Sequence, residues 1–463
     1  MMFDLEFLAE ALSGTIRIDA KGLGPQPDRR LVDGADVDTR RLRPGQGFVA
    51  LKSARDGHDF VRQAWERGAS VCVVDRGSAL TGGPLLEVDD TAAVLGRWAH
   101  LARAEVRSVI GVTGSAGKTS TKDLLAAALA EGGSVVASEG SFNNEIGLPL
   151  TLINAPRAVE VVVAEMGARK IGDIAYLADV AEPSIGIITN IGYAHIGEFG
   201  DQATIAMAKG ELFEALPSGG TAIAPSGSPF LDEWRTRTNA RFVTFGEDPG
   251  AEVRATDITV QADMSTKCRV TTPWGVGDLY VPLIGRHQVS NALAALSAAM
   301  VLGRSLDDVL YGISEAAASR WRMEMSQTAS GATIINDAYN ANPESVRAAL
   351  ETLADMPVTG RRILVLGEIA EMGDLAHRVH SLVADQARAA GVDLLVAVGD
   401  GVSAAVERGR KLDLDVMTFA SPVDAGKALA GELRCGDAVL VKASRASGLE
   451  RAVATILTEG SGS

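Results

Sequence analysis

Between Ser108 and Ala130 the chain reads SVIGVTGSAGKTSTKDLLAAALA, a β-branched strand, a glycine-rich turn and an amphipathic helix in direct succession. That order constrains the fold more than any other stretch. A strand that runs through glycines into a helix N-terminus presents backbone N–H groups and the positive end of the helix dipole, a cradle for phosphates. Within Gly114, Ser115, Ala116, Gly117, Lys118 and Thr119 the lysine would neutralise the β- and γ-phosphates, and the threonine hydroxyl would ligate Mg²⁺. The full Walker spacing asks for glycine six residues before the lysine, where this chain has Val112. The bland alternative is a glycine-rich turn with an incidental lysine.

The same grammar recurs downstream. VEVVVAEM and SIGIITNIG read as further strands of a central segment, and from about residue 320 RRILVLG, VDLLVAVGD and DAVLVKAS read as buried strands between Ala-rich helices. Short apolar strands alternating with helices imply mostly parallel sheets covered on both faces. The first hundred residues are more mixed: a Pro44-Gly45-Gln46-Gly47 turn precedes the strand FVAL, and a helix-like HDFVRQAWERGA leads into SVCVVD. A chain of 463 residues exceeds what one core organises. The fold class is therefore α/β in three domains: residues 1–107 a small mixed α/β domain, 108–319 a central P-loop domain, and 320–463 a Rossmann-like domain. RRILVLG is not followed by GxGxxG, so no dinucleotide site is expected there.

A formal charge of −15 would repel a phosphate backbone, and no local basic stripe offsets it, which excludes a nucleic-acid partner. The start MMFDLEFLAEAL lacks the basic n-region of a signal peptide, and no apolar run approaches a membrane span of roughly eighteen residues. The chain is expected to be untargeted, without membrane insertion, and cytoplasmic. Cys72, Cys268 and Cys435 stand singly in apolar or strand-like stretches and read as reduced core residues.

Other residues carry chemistry only in combination. Glu165 ends the apolar run VVVA and His195 follows a second strand, so both fall at the carboxyl edge where open α/β sheets bind ligands. Each alone could be an ordinary polar strand terminus; beside a phosphate loop they become candidate Mg²⁺ neighbours. Lys209, in AMAKGELFEAL, reads from pattern alone as a solvated surface lysine. NDAYNANPES, residues 336 to 345, is a polar turn in which Asn342-Pro343 starts a helix, either a bland loop or a contact loop.

In chain order, GVTGSAGKTSTKD, SFNNEIGLPLTL, AEMGA, ITNIGYAHIGEFG, AKGELF, GRHQVSNALAA, NDAYNANPES, VLGEIAEMG and VKASRASGLE resemble the motifs of the Mur ligases across nearly the whole sequence. NNEIGLPLTL and DAYNANP resemble the branch that adds D-alanyl-D-alanine. DTRRLRPGQGFVALKSARDGHDF resembles the family's uridine-nucleotide region. The resemblance implies an ATP-dependent amide-bond ligase of peptidoglycan synthesis, which joins D-alanyl-D-alanine to UDP-N-acetylmuramoyl-tripeptide through an acyl phosphate.

Carried over by position, it implies catalytic roles for Lys118, Glu165, His195, Lys209, Arg322 and Asp337. ATP would meet the loop from Gly114 to Thr119 together with Asn291, Arg322 and Asp337. Mg²⁺ would be held by Thr119, Glu165, His195 and a carbamoylated Lys209. Thr39, Arg40, Asn143, Asn144, Asn340 and Asn342 would contact the substrates. At three contact loops the chain departs from the family pattern: Gln288 stands for asparagine, Ala443 for glycine and Thr39 for serine. The nearest rival reading is another Mur ligase or a folylpolyglutamate synthase-like ligase. A P-loop switch of the GTPase kind would need an Asn-Lys-x-Asp that the chain lacks.

Overall fold

The computed structural model describes residues 1–18 and 31–459. Three sheets carry the architecture, each the centre of a layered α/β unit. The first has five strands, in the order Thr15–Ile18, Pro84–Val88, Val71–Asp75, Gly47–Val49 and Ala35–Asp36; only its first pairing is antiparallel. Its helix Thr91–Arg103 buries Val94, Leu95, Trp98 and Ala99 and packs on helices Gly147–Ile153 and Asp173–Ala181 of the next unit. The Asn154 side chain fastens the same joint, donating to Ala35 O at 2.8 Å and accepting from Ala35 N at 3.2 Å and Gln46 Nε2 at 2.8 Å. Gly34 sits beneath it at φ +81°, where a Cβ would fall 2.2 Å from Asn154 Oδ1, so only glycine fits.

The second sheet has nine strands and decides where the site lies. Strand Ser108–Thr113 lies third from one edge, paired in parallel with Val161–Glu165 on one side and Ile185–Ile188 on the other. The register sets Glu165 beside Val112 and Ile188 beside Thr113, so the glycine loop, Glu165 and the Thr189-Asn190 turn leave one carboxyl edge together. Val109, Ile110, Val112, Val162 and Ile187 are fully buried, as a sheet covered on both faces requires.

Beyond strand Val253–Val260, which still pairs in parallel with Arg241–Gly246, the sheet departs from the expected parallel pattern: Thr266–Thr272 and Gly275–Val281 continue from it as an antiparallel meander. Thr266–Thr272 alternates strictly between buried and exposed residues, the signature of a sheet with one wet face.

The third sheet runs Glu324–Gln327, Thr333–Asp337, Ala438–Lys442, Arg362–Leu366, Leu394–Val398 and Asp415–Phe419, parallel except for its first pairing. Asp337 and Leu366 both pair with Lys442, and this carboxyl edge faces the glycine loop of the second sheet.

Three sequence expectations need correcting. Cys435 is exposed rather than a core residue, whereas Cys72 and Cys268 are buried as expected. The stretch HDFVRQAWERGA forms a 3₁₀ turn, Gly57–Phe60, and a helix of only six residues, Val61–Glu66. The pattern-based default for Lys209 fails outright: it is only 1% exposed, on the core side of helix Gln202–Glu214.

Candidate active site

The glycines of the phosphate loop are fixed by contact as well as by turn geometry. Gly114 has φ +146° and a Cβ there would lie 1.9 Å from Thr189 Oγ1; at Gly117, φ +80°, it would lie 2.3 Å from Asn291 Oδ1. The neighbouring turn grips the loop. Ser115 N donates to Asn190 O at 3.0 Å, Ala116 N to Asn190 Oδ1 at 2.9 Å, and Asn190 Nδ2 returns a bond to Ala116 O at 3.0 Å. Two of the loop's N–H groups are therefore already used. The donors left for an anion are those at the start of helix Lys118–Ala130, whose first turn has no intrahelical partners.

Lys118 is half-buried and folds back to donate to Gly114 O at 2.7 Å. Desolvation, and secondarily Arg322, hold its ammonium below the usual lysine value, while Glu165 works the other way. Glu165 is buried with both oxygens engaged: Thr119 Oγ1 donates to Oε2 at 2.8 Å and Asn143 Nδ2 to Oε1 at 2.7 Å. The same Thr119 hydroxyl accepts from Arg322 Nη2 at 2.9 Å.

Arg322 arrives from the far side of the site, stacked 4.3 Å over the Tyr339 ring, whose hydroxyl bonds Ser141. The turn from Asn336 to Ser345 docks on the glycine loop. Asn342 caps helix Pro343–Asp355 through a reciprocal capping box with Ser345 and donates from Nδ2 to Ser115 O at 3.0 Å. Glu344 Oε1 accepts from Tyr193 N at 2.8 Å, and Gly192 admits it, because a Cβ there would fall 2.2 Å from Glu344 Cδ. This is a contact loop rather than a bland one.

Asp337 faces the cavity yet is already bound. Lys442 Nζ lies 2.6 Å from its Oδ2, and Met323 N donates to Oδ1 at 3.2 Å. Asn291 is held by Gln288, whose Oε1 accepts from Asn291 Nδ2 at 2.8 Å. Next to it, burial lowers the His287 imidazole to about 4. His195 Nδ1 lies 2.6 Å from Glu371 Oε2, and Glu371 Oε1 lies 3.5 Å from Arg169.

These groups surround one cavity of about 1310 Å³. Of the residues chosen from sequence it gathers Ser115 to Thr119, Asn143, Asn144, Glu165, His195, Asn291, Arg322, Asp337, Asn340 and Asn342. Gly114 supports it from beneath. Thr39 and Arg40 lie elsewhere: Thr39 is buried and donates to Gln63 Oε1 at 2.7 Å, while exposed Arg40 clasps Asp38 and draws that carboxyl down to about 2. Lys209 sits behind the cavity with no ion pair among the described residues, and desolvation first, Lys118 second, push its amine well below the usual range. Sequence reasoning missed Arg169, Lys170, Asn190, Glu344, Glu371 and Lys442. Lys442 ends its strand just as Glu165 does, and Asn190 follows the end of Ile185–Ile188 by two residues, so the strand-end signal would have found both.

The donor set can be tested against a metal. The Thr119 hydroxyl and Glu165 carboxylate are adjacent hard oxygens beside a phosphate-binding helix start, and among the described residues no three His, Cys, Asp or Glu gather as a closed cage. Mg²⁺ suits such a site, since it takes one or two protein oxygens and completes its shell from phosphates and water.

Comparison with known proteins gives a consistent result. Residues 112–299 match the model of the Mur ligase middle domain, and residues 321–445 that of the Mur ligase glutamate ligase domain. The UDP-N-acetylmuramoyl-tripeptide–D-alanyl-D-alanine ligase of Mycobacterium tuberculosis H37Rv is 37% identical over 96% of this chain and 95% of its own length. That of Escherichia coli K12 is 35% identical over 93% and 94%. A crystal structure of MurF from Acinetobacter baumannii superposes with a TM-score of 0.87 at 31% identity over 99% of both chains. MurF of Thermotoga maritima in complex with ADP gives 0.79 at 26% identity over 93% and 98%.

Proposed function

The chain belongs to the Mur ligase family, in the branch that joins D-alanyl-D-alanine to UDP-N-acetylmuramoyl-tripeptide in peptidoglycan synthesis, and from that premise we propose how its residues divide the work. Residues 1–107 take the UDP end of the substrate, 108–319 take ATP, and 320–463, of which 460–463 lie outside the described residues, close over both. The observation that carries this division is the Arg322 to Thr119 bond, which puts a residue of the third unit on the phosphate loop of the second.

The reaction transfers the γ-phosphoryl of ATP to the terminal carboxylate of the tripeptide, releasing ADP. The dipeptide amine attacks the acyl phosphate, and the tetrahedral adduct collapses to an amide as phosphate leaves. Both partners of the first step are anions, so the main demand is charge neutralisation. Lys118 and Arg322 supply fixed positive charge beside the helix N-terminus, and the site excludes Asp337 from competing by tying it to Lys442. Thr119 and Glu165 would hold Mg²⁺, with His195 nearby; the ion supplies further neutralisation of the phosphates. Asn143 fixes the Glu165 rotamer for that task. Asn291, set by Gln288, faces the nucleotide, and Asn144, Asn340 and Asn342 face the peptides, whereas Thr39 and Arg40 belong to the UDP region.

Carbamoylation of Lys209 fits its surroundings. Carbon dioxide adds to the neutral amine, the form that burial and the neighbouring Lys118 both favour here, and the resulting carbamate would be attracted to Lys118 where an ammonium is repelled. A cytoplasmic site of action, in wall growth that supports cell shape and division, agrees with three unpaired cysteines among the described residues. The deciding experiment is an ADP-release assay crossing UDP-muramoyl peptides with D-alanyl-D-alanine and with single amino acids. Release should require the tripeptide and the dipeptide together; equal stimulation by L-glutamate would overturn the assignment.

A further inference from the structure

The loop after strand Arg362–Leu366, GEIAEMG, has no part in the chemistry described so far, yet one of its side chains lines the cavity beside His195. Glu371 Oε2 lies 2.6 Å from His195 Nδ1. Two bare acceptors do not approach that closely, so Nδ1 carries a proton, although the oxygen stands off the ideal N–H direction and leaves the nitrogen without an aligned hydrogen bond. With Nδ1 occupied, Nε2 is the nitrogen left for whatever enters the cavity that His195 lines.

The backbone around the pair is unusual on both sides. His195 has φ +61° and Glu371 φ +64°, left-handed conformations that non-glycine residues hold only when their surroundings impose them. Here the imposing contact is main chain against main chain: Gly197 N donates to Glu371 O at 3.1 Å, and a Cβ at Gly197 would lie 2.7 Å from Gly373 N. The two turns interlock only because position 197 has no side chain.

We propose that Glu371 is a positioning residue for His195: seated by the Gly197–Gly373 contact, it fixes the proton on Nδ1, so the imidazole is set for the reaction only when the third domain is docked. This rests on His195 being a site residue, as proposed above. Metal- and substrate-facing histidines are commonly oriented by a carboxylate on the opposite nitrogen, and loss of such a partner typically costs about 10- to 100-fold.

The test uses the full-length enzyme labelled with ¹⁵N-histidine. The chain has six histidines, and a His195→Gln sample assigns the resonance. In the nucleotide-free wild type the His195 shifts should report the Nδ1–H tautomer. Glu371→Ala should give a tautomer mixture and lower kcat about 10- to 100-fold with little change in KM for ATP. Glu371→Gln, which keeps an acceptor oxygen, should restore both, which a role resting on the ion pair with Arg169 would not. Gly197→Val should reproduce the Glu371→Ala spectrum with both side chains intact, and thermal melts confirm that each variant is folded. An unchanged His195 tautomer in Glu371→Ala, or in Gly197→Val, would overturn the inference. Normal turnover in His195→Ala would sink the role of His195 along with it, whereas a defect in His195→Ala with none in Glu371→Ala overturns the positioning alone.

Discussion

Arg322 Nη2 donates to Thr119 Oγ1 at 2.9 Å, and the same hydroxyl donates to Glu165 Oε2 at 2.8 Å, so one threonine oxygen joins three distant stretches of chain. The guanidinium is stacked on Tyr339 and cannot be replaced by a point charge on a flexible stem. Arg322→Lys should therefore lower kcat/KM for ATP by about 100-fold, close to the loss from Arg322→Ala. Steady-state kinetics at saturating tripeptide and dipeptide measure it; near-normal values for the lysine variant would show that charge alone suffices.

Lys118→Ala should abolish ADP release while leaving UDP-substrate binding by calorimetry within about twofold, because the lysine bonds to its own loop, its charged neighbours Glu165 and Arg322 line the same cavity, and the first sheet lies elsewhere. Loss of both would contradict the division of labour between the domains.

Asn342 both caps its helix and reaches Ser115 O at 3.0 Å. Asn342→Ala should cost about 1 kcal/mol of stability for the cap and raise KM for ATP as the docked turn loosens. Asn342→Asp keeps the cap acceptor but loses the Nδ2 donor, so it should recover stability and not KM. Denaturant titration and kinetics on the two variants separate the roles.

If Lys209 works as the proposed carbamate, stripping carbon dioxide at mildly acidic pH should lower activity and bicarbonate should restore it, because a carbamate forms only from the neutral amine. Lys209→Arg should be inactive although its charge is kept. Near-normal turnover by that variant would rule the carbamate out.

Burial also makes Lys209 a stability probe. Its folded value lies well below the ordinary 10.5, so between the two the unfolded chain binds more protons, and stability of the carbon dioxide-free protein rises with pH across that window. Lys118 and Lys442 are depressed in the same direction by desolvation. Lys209→Met should flatten the rise and stabilise the protein at neutral pH. Chemical denaturation at pH 7 and pH 9 checks this; an unaltered slope would mean that Lys209 carries no part of it.

How much of this was legible beforehand follows physical lines. Strand and helix alternation located the parallel sheets, and the glycine-lysine turn located the phosphate loop, because both are written in contiguous residues. The antiparallel meander was equally visible in the alternation of TKCRVTT, and was overlooked because the flanking grammar was parallel. What pattern could not show is partnership across the chain. Nothing in AMAKGELFEAL distinguishes a buried Lys209 from a wet one, since its helix is apolar on nearly every side, and Glu371 gains meaning only from a turn 176 positions earlier, at His195. The motif resemblance supplied Lys209, Arg322 and Asp337; it did not indicate that Asp337 would be bound by Lys442.

The cavity has walls from two sheets; Arg322 and Asn342 reach its phosphate loop, and Glu344 the adjoining Tyr193 turn, from outside the nine-stranded one. An acyl phosphate is an anhydride that water destroys, so an enzyme whose reactive pocket is whole only when its halves meet protects the yield of its own intermediate. Each nucleotide spent then corresponds to one peptide bond made. Loosening the joint should first be felt as leakage, ADP appearing without amide, before any slowing of the overall turnover.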